Sequence, residues 1–267
     1  MILAPPTERR TTARVAALAT ALAAVWTLAP APTMARDGVT FTLGAGARLA
    51  PEYFGASSME PGPTGRFSLQ HLSIGGLQVG RPDARPLDPG FGIGGAFRYI
   101  GSRGPGQNPE LAGLDRVDAS VELGLGLRHV AEGWRVFADL RHGVIGHGGW
   151  AGDLGADALL RLGPDLILTA GPRVAFGDAR FTRTYFGVTP AESAASGFAA
   201  YRPSGGLVSV GAELGMHYAL DADWGLVGTI SYDHLRGDAA DSPVTTQGSR
   251  DQWGASLVVT RRFNLRF

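Results

Sequence analysis

Nine stretches of this chain, and a tenth less regularly, place an apolar side chain at every second position, with small, polar or charged residues between them. A period of two sends successive side chains to opposite faces of a strand, so each stretch reads as a strand with one greasy face and one polar face. The last of them runs Trp253, Ala255, Leu257, Val259 and then, past Arg261, Phe263, Leu265 and Phe267. An amphipathic strand closed by an aromatic, here Phe263, Leu265 and Phe267, is the sorting address of bacterial outer-membrane barrels. The expectation is an all-β fold, a closed antiparallel transmembrane β-barrel placed in the bacterial cell outer membrane with bilayer lipid as its surroundings.

The other stretches alternate in the same way. Trp224 to Tyr232, Val208 to Leu220, Leu166 to Phe176, Trp150 to Leu160, Trp134 to Leu140, Ala119 to Leu127, Phe91 to Tyr99 and Val39 to Leu49 each keep most of their large apolar residues in one phase, with Leu159 out of line on the polar face. Gly65 to Val79 is less regular and reads as one long strand or two short ones. Ten strands is an even number that returns both ends to the periplasm, and splitting the irregular segment with one further break makes twelve.

The charges test this threading independently. Arg98, Glu122, Arg128, Arg135, Asp139, Arg141, Asp153, Asp157, Arg173 and Glu213 all fall on the polar face of their strands. An Arg on the lipid face near the midplane costs about 2–4 kcal/mol. Only Arg261 breaks phase, which places it away from the midplane or beside a bulge. About eight strands are just filled by side chains and ten leave little more room. The mixed charges are therefore expected to pair across the lumen, a gated ion path being the alternative. Trp134, Trp224 and Tyr218 fall at one end of the strands, and Trp150, Trp253, Tyr99, Phe176 and Tyr232 at the other. These are the two aromatic girdles of a membrane barrel.

At the start, Arg9, Arg10 and Arg14 precede an uncharged apolar stretch from Val15 to Leu28, too short to span a bilayer and of the length of a signal-peptide core. Of two cleavage frames, the one ending at Ala35 is preferred, because the other leaves Pro32 after the cut. The domains are thus a signal peptide at 1–35 and a barrel at 36–267. The chain has no Cys, which excludes a disulfide framework, and its 24 basic residues, all Arg, balance 24 acidic ones, which argues against nucleic acid as a partner.

Two outer connections stand out for length. Gly177 to Gly205 contains Thr189-Pro190-Ala191-Glu192, a capping box with proline at the first helical position, and Gly197 as a C-terminal stop. One short helix is expected there, packed into the barrel mouth or against the rim or a neighbouring loop with Tyr185, Phe186, Phe198 and Tyr201 buried, since so much aromatic surface does not suit an exposed loop; an adhesive tip with these aromatics protruding is the alternative. The other connection, Arg236 to Arg250, carries Gly237-Asp238-Ala239-Ala240-Asp241-Ser242-Pro243.

At these residues the chain resembles a known family. Tyr185-Phe186-Gly187-Val188-Thr189-Pro190, Ala194-Ala195-Ser196-Gly197, Tyr201, Gly237-Asp238-Ala239-Ala240-Asp241-Ser242-Pro243 and Gly248-Ser249 are similar to the MipA/OmpV family, whose namesake is the MltA-interacting protein. Pro51-Glu52-Tyr53-Phe54-Gly55 and Leu111-Ala112-Gly113-Leu114 extend the likeness. The resemblance implies an outer-membrane barrel with a structural or scaffolding role in the murein (peptidoglycan) synthesis machinery or envelope maintenance. It implies a lytic transglycosylase and a penicillin-binding protein as partners. A small-solute or osmotic-response pore, or an adhesin, is the alternative, and a lipid-modifying barrel enzyme a distant third.

Catalytic, cofactor and metal sites are not expected. His142 and His147 are five residues apart in a short outer loop with no acid near them in sequence, which is poor ligand spacing, and they read as solvated loop histidines. Asp238 and Asp241 lack the oxygen-ligand alternation of a calcium loop. No G-x-S-x-G elbow accompanies the histidines, His129 falls at the periplasmic end, and the paired glycines around Gly92 and Gly94 precede no helix.

Overall fold

The computed structural model describes residues 37–85 and 87–267, so the signal-peptide reading of 1–35 lies outside the described residues. Strands β1 (Gly38–Pro51), β2 (Met59–Ile74), β3 (Leu77–Gly80), β4 (Gly90–Ile100), β5 (Ser120–Val130) and β6 (Trp134–Ile145) come first. They are followed by β7 (Trp150–Leu162), β8 (Leu166–Gly177), β9 (Gly206–Ala219), β10 (Trp224–Leu235) and β11 (Asp251–Arg266). They form one antiparallel sheet in the order β3-β2-β1-β11-β10-β9-β8-β7-β6-β5-β4. The first and last strands zip together from Gly38↔Arg266 to Leu49↔Ala255, and the Phe267 N–H donates to the Asp37 carbonyl at 3.0 Å.

The sheet differs from the expectation in two ways. It has eleven strands, because the irregular segment resolves into the long β2 and a four-residue β3. Gly75 and Gly76 join them, both at positive φ, the conformation a two-residue hairpin of the I′ type requires. The irregularity itself is a bulge: Thr40 pairs with His71 but Phe41 with Leu69, leaving Gln70 over and shifting the phase of the apolar residues. The second difference is closure. No ladder joins β4 to β2 or β3, so the barrel is nearly closed, with a seam between two strand edges. Pro61 and Pro63 lie in β2, which borders that seam, and proline has no N–H for a ladder bond and belongs on edges.

The distribution of side chains inverts that of a water-soluble protein. Leu125 is 67% exposed on the outer face of β5 while Glu122, one turn of the pleat and a face away, is 0% exposed. Leu43, Phe97, Leu140, Leu160, Leu214, Ile230 and Leu257 continue the exposed apolar band around the wall. Such a band is stable only against hydrocarbon, since hundreds of square ångströms of apolar surface in water would drive association. Arg261, the out-of-phase charge, lies at the level of Trp224 with its guanidinium 5.1 Å from that ring and 5.2 Å from Phe263. It sits in the aromatic girdle at the short-turn end, where cation–π contact and water access offset the cost of an outward charge.

Helices occur in the outer connections alone among the described residues: α1 (Ala179–Phe186) and α2 (Pro190–Ser196) between β8 and β9, α3 (Gly237–Asp241) and α4 (Pro243–Gln247) between β10 and β11. The single expected helix is thus replaced by four, and a third long outer connection, residues 101–119, joins them.

Candidate functional site

The ion pairs of the lumen are built from residues that alternate inward on β4 to β9. Arg98 grips Glu122 with two bonds of 2.8 Å, and Glu122 also accepts from Arg141 Nε at 2.9 Å. Arg141 continues to Asp153, across two strands. Deeper, Arg135 pairs with Asp157 at 2.5 Å, Asp157 with Arg173 at 2.9 Å, and Arg173 with Glu213 at 2.9 Å. Phe137 fills the space between these groups, its ring under both Arg135 and Arg173. Every one of these charges is in or near van der Waals contact with its counter-charge, so desolvation is offset only while the set is complete.

His147 tops this network. Its side chain is fully buried, with Nδ1 accepting the Gly149 N–H and Nε2 facing Glu122 Oε1 at 3.0 Å. The reading of His147 as a solvated loop histidine is therefore overturned. The acid it meets lies 25 residues back on β5, which loop spacing could not reveal. His142 stacks on Trp150 with ring centroids 4.8 Å apart, and His129 on Trp134 at 5.3 Å.

Above the network sits an aromatic cover. Asp178 caps α1 by accepting from the N–H groups of Arg180 and Phe181, and Phe181, Tyr185 and Phe186 then face the lumen, each no more than 2% exposed. Phe54 lies among the three rings, 5.1–5.8 Å away, and His147 meets Phe181 and Tyr185 edge-on. Tyr185 donates to Ser120 Oγ at 2.8 Å, and burial pushes its phenol up to about 12, so it remains a donor at any physiological pH. An eight-residue helix has little stability alone, so this packing holds it.

The capping box at Thr189 forms as expected, with Glu192 Oε2 accepting from the Thr189 N–H and Gly197 ending α2 at φ +80°. Yet α2 buries none of its residues. The helix that enters the mouth is α1, whose start at Asp178 hides behind the strand-like pattern of β8. Phe198 and Tyr201 are only partly buried, packing on a second cluster of Tyr53, Leu111, Leu114, Val188 and Val244.

The motif residues of the two long loops meet one another. Tyr201 donates to the Asp238 carbonyl at 3.0 Å, and Asp238 Oδ2 accepts from both the N–H and the hydroxyl of Ser204. Ser242 donates to the Phe186 carbonyl at 2.7 Å and caps α4 through Val244, with Pro243 as first helical residue. Val188 bridges to Tyr201, Gly187 closes α1, Gly237 starts α3 at φ +49°, and Asp241 pairs with Arg250 at 3.3 Å. Asp238 and Asp241 thus serve different neighbours. Among the described residues no group of three or more His, Asp or Glu is arranged to hold a metal.

The mouth at the short-turn end is covered too, which sequence reasoning missed. The linker from β3 to β4 folds under the barrel: Leu87 packs with Val130, Leu159 and Ile167, while its carbonyl accepts from Arg161 at 2.7 Å. Pro82 accepts from Arg262 at 2.6 Å and from Thr40. Leu159, an apolar residue on the polar face of β7, was the visible sign of an apolar partner inside. Between the covers remains a cavity of about 430 Å³, lined by Arg48, Asp139, Asp153, Glu213 and Asp233 below and by Phe181 and Tyr185 above.

Solved outer-membrane proteins align with this chain at low similarity. An outer membrane channel from Pseudomonas putida F1 aligns at TM-score 0.44 and 12% identity, over 87% of this chain and 99% of that one. The translocator domain of autotransporter NalP from Neisseria meningitidis aligns at 0.38 and 14%, over 95% and 97%. Neisserial surface protein A aligns at 0.29 and 9%, over 85% and 97%. No curated protein gives a match. The sequence profile described as MltA-interacting protein MipA spans residues 43–263, from within β1 to within β11, and takes in both long loops. By that match over most of its length, the chain belongs to the MipA family.

Proposed function

We propose that this protein is a non-conducting barrel of the bacterial outer membrane that anchors a periplasmic partner of the murein synthesis machinery. What supports the first half is the double cover. Phe181, Tyr185 and Phe186 fill one mouth, Leu87 fills the other, and paired charges occupy the space between. A lumen so occupied offers no continuous aqueous path. The family's description as MltA-interacting supports a protein partner, and the lytic transglycosylase and penicillin-binding protein that the resemblance implies are the partners proposed.

A pull-down from solubilised envelopes tests the anchor, with murein hydrolase activity in the captured fraction as its readout. Capture should survive removal of the outer loops and fail when the 81–89 linker and neighbouring periplasmic turns are replaced. The second reading, a small-solute pore, is favoured by the cavity of about 430 Å³ beneath α1. Planar-bilayer recordings separate the two readings, because sustained openings of defined size in the unaltered protein would select the pore.

A further inference from the structure

The β2–β4 seam is held by side chains where the rest of the wall is held by ladders. On the outside, the Phe67 ring lies over Gly95, so close that a methyl group there would come within 3.1 Å of it. On the inside, Arg128 of β5 crosses the lumenal face of β4 to donate from Nη2 to the Leu69 carbonyl of β2 at 2.6 Å. It can do so because Gly92 and Gly94 leave a bare trough; a Cβ at Gly92 would meet the Arg128 Nε at 2.9 Å.

Beside this latch a cavity of about 430 Å³ passes through the wall, its lining combining lipid-facing Leu69, Phe91 and Ile93 with lumen-facing Arg128 and Val130 and, from the β3–β4 linker, the two cations Arg81 and Arg85 against the single carboxylate Asp88. Gln70, the bulged residue, also lines it. It is 7% exposed, its Oε1 accepts from Thr42, and its Nε2 has no partner. Arg128 spends one donor on Leu69 and, unlike Arg98, Arg135, Arg141 and Arg173, makes no ion pair among the described residues. A buried amide donor and an unpaired guanidinium facing one cavity, with apolar walls opening to the bilayer, suit an oxygen anion on an aliphatic chain.

We propose that the β2–β4 seam is a lateral portal that binds a single-chain carboxylate amphiphile of the fatty-acid class, its carboxylate on Gln70 and Arg128 and its chain along Leu69, Phe91 and Ile93. The cavity is at the small end of ligand pockets, which favours one chain over two. This site is separate from the anchor role and stands or falls without it.

The chain has no Cys, so a pair introduced as Phe67→Cys with Gly95→Cys can be linked across the seam by a short, reducible bis-thiosulfonate. Full-length protein in phosphatidylcholine nanodiscs is titrated with dansyl-labelled undecanoic acid, with oleate, methyl oleate and phosphatidylglycerol as competitors. Saturable fluorescence, displaced by oleate and far less by methyl oleate, is expected. Linking the seam should abolish it, and reduction should restore it. Gln70→Leu with Arg128→Met should weaken it at least about tenfold, the loss of a charge-assisted hydrogen bond. Should that variant fail to fold, the linked and reduced forms of the Cys pair still decide. Absence of saturable binding, equal binding in the linked and reduced forms, or equal displacement by methyl oleate or phosphatidylglycerol would overturn the proposal.

Discussion

His147 Nε2 lies 3.0 Å from Glu122 Oε1 while its Nδ1 accepts the N–H of Gly149 at 3.0 Å, so one imidazole couples the lumenal ion pairs to the loop beneath the aromatic cover. Glu122 holds two arginines and this histidine at once. Replacing it by Gln strips Arg98 of its counter-charge and leaves Arg141 with Asp153 alone at bonding distance, and should cost about 3 kcal/mol. His147→Ala removes one donor and should cost about 1–3 kcal/mol. Denaturant midpoints by tryptophan fluorescence in one micelle system compare them, and a larger loss for His147→Ala would contradict the assignment of Glu122 as the hub.

The cover should be separable from the wall. Phe181→Ala together with Tyr185→Ala removes two rings from the upper cluster, each worth about 3–5 kcal/mol when fully buried. The barrel ladders do not include these residues, so heat-modifiable gel migration should persist. Protease added to intact cells should then cut between 178 and 205, a region expected to resist in the unaltered protein.

Thr189→Ala tests α2 on its own. The lost cap is worth about 1 kcal/mol, and since α2 buries nothing, the effect should be confined to it. Hydrogen exchange at 190–197 should quicken with the barrel's unfolding midpoint unchanged. A matching fall in global stability would mean α2 supports the cover after all.

The sequence carried the wall of this protein and about half of its covers. Alternation and charge phase survive in the structure because lipid and lumen impose opposite demands on adjacent residues, and a single slip would put Arg or Glu into hydrocarbon. The bulge at Gln70 hid β3 because it changes parity within one strand, although Gly75-Gly76 marked the turn. The capping box of α2 is local and was legible, whereas the partners that select α1 as the plug, Phe54, Ser120 and His147, come from two other connections and the start of β5. The seam and the Glu122–His147 contact are likewise tertiary. The paired prolines of β2 are the local trace of the former.

Acid should loosen the outer cover. Burial raises the Asp178 carboxyl, but the Phe181 N–H and further backbone donors outweigh it and hold the group below its usual value; in Glu192 burial is likewise outweighed, by the Thr189 N–H first. In Asp238 the Ser204 N–H is the largest cause of a lowered value. A depressed folded-state pKa stabilises above the unfolded value and is lost as pH falls through the folded one. Loop protection from protease should therefore hold at neutral pH and fall away below the ordinary carboxylate range. Asp178→Asn, which keeps a capping oxygen without titrating, should flatten that dependence for α1.

The twelve-pair zipper between β1 and β11 joins residues more than 200 positions apart, so it is the most expensive contact in the wall to bring together. It is also fully hydrogen-bonded, whereas β2 and β4, closer in sequence, meet with no ladder at all. The order of assembly and the order of yielding are therefore different: the stave set last is among the firmest, and the wall should breathe two staves away, where the chain left its own edges unlaced.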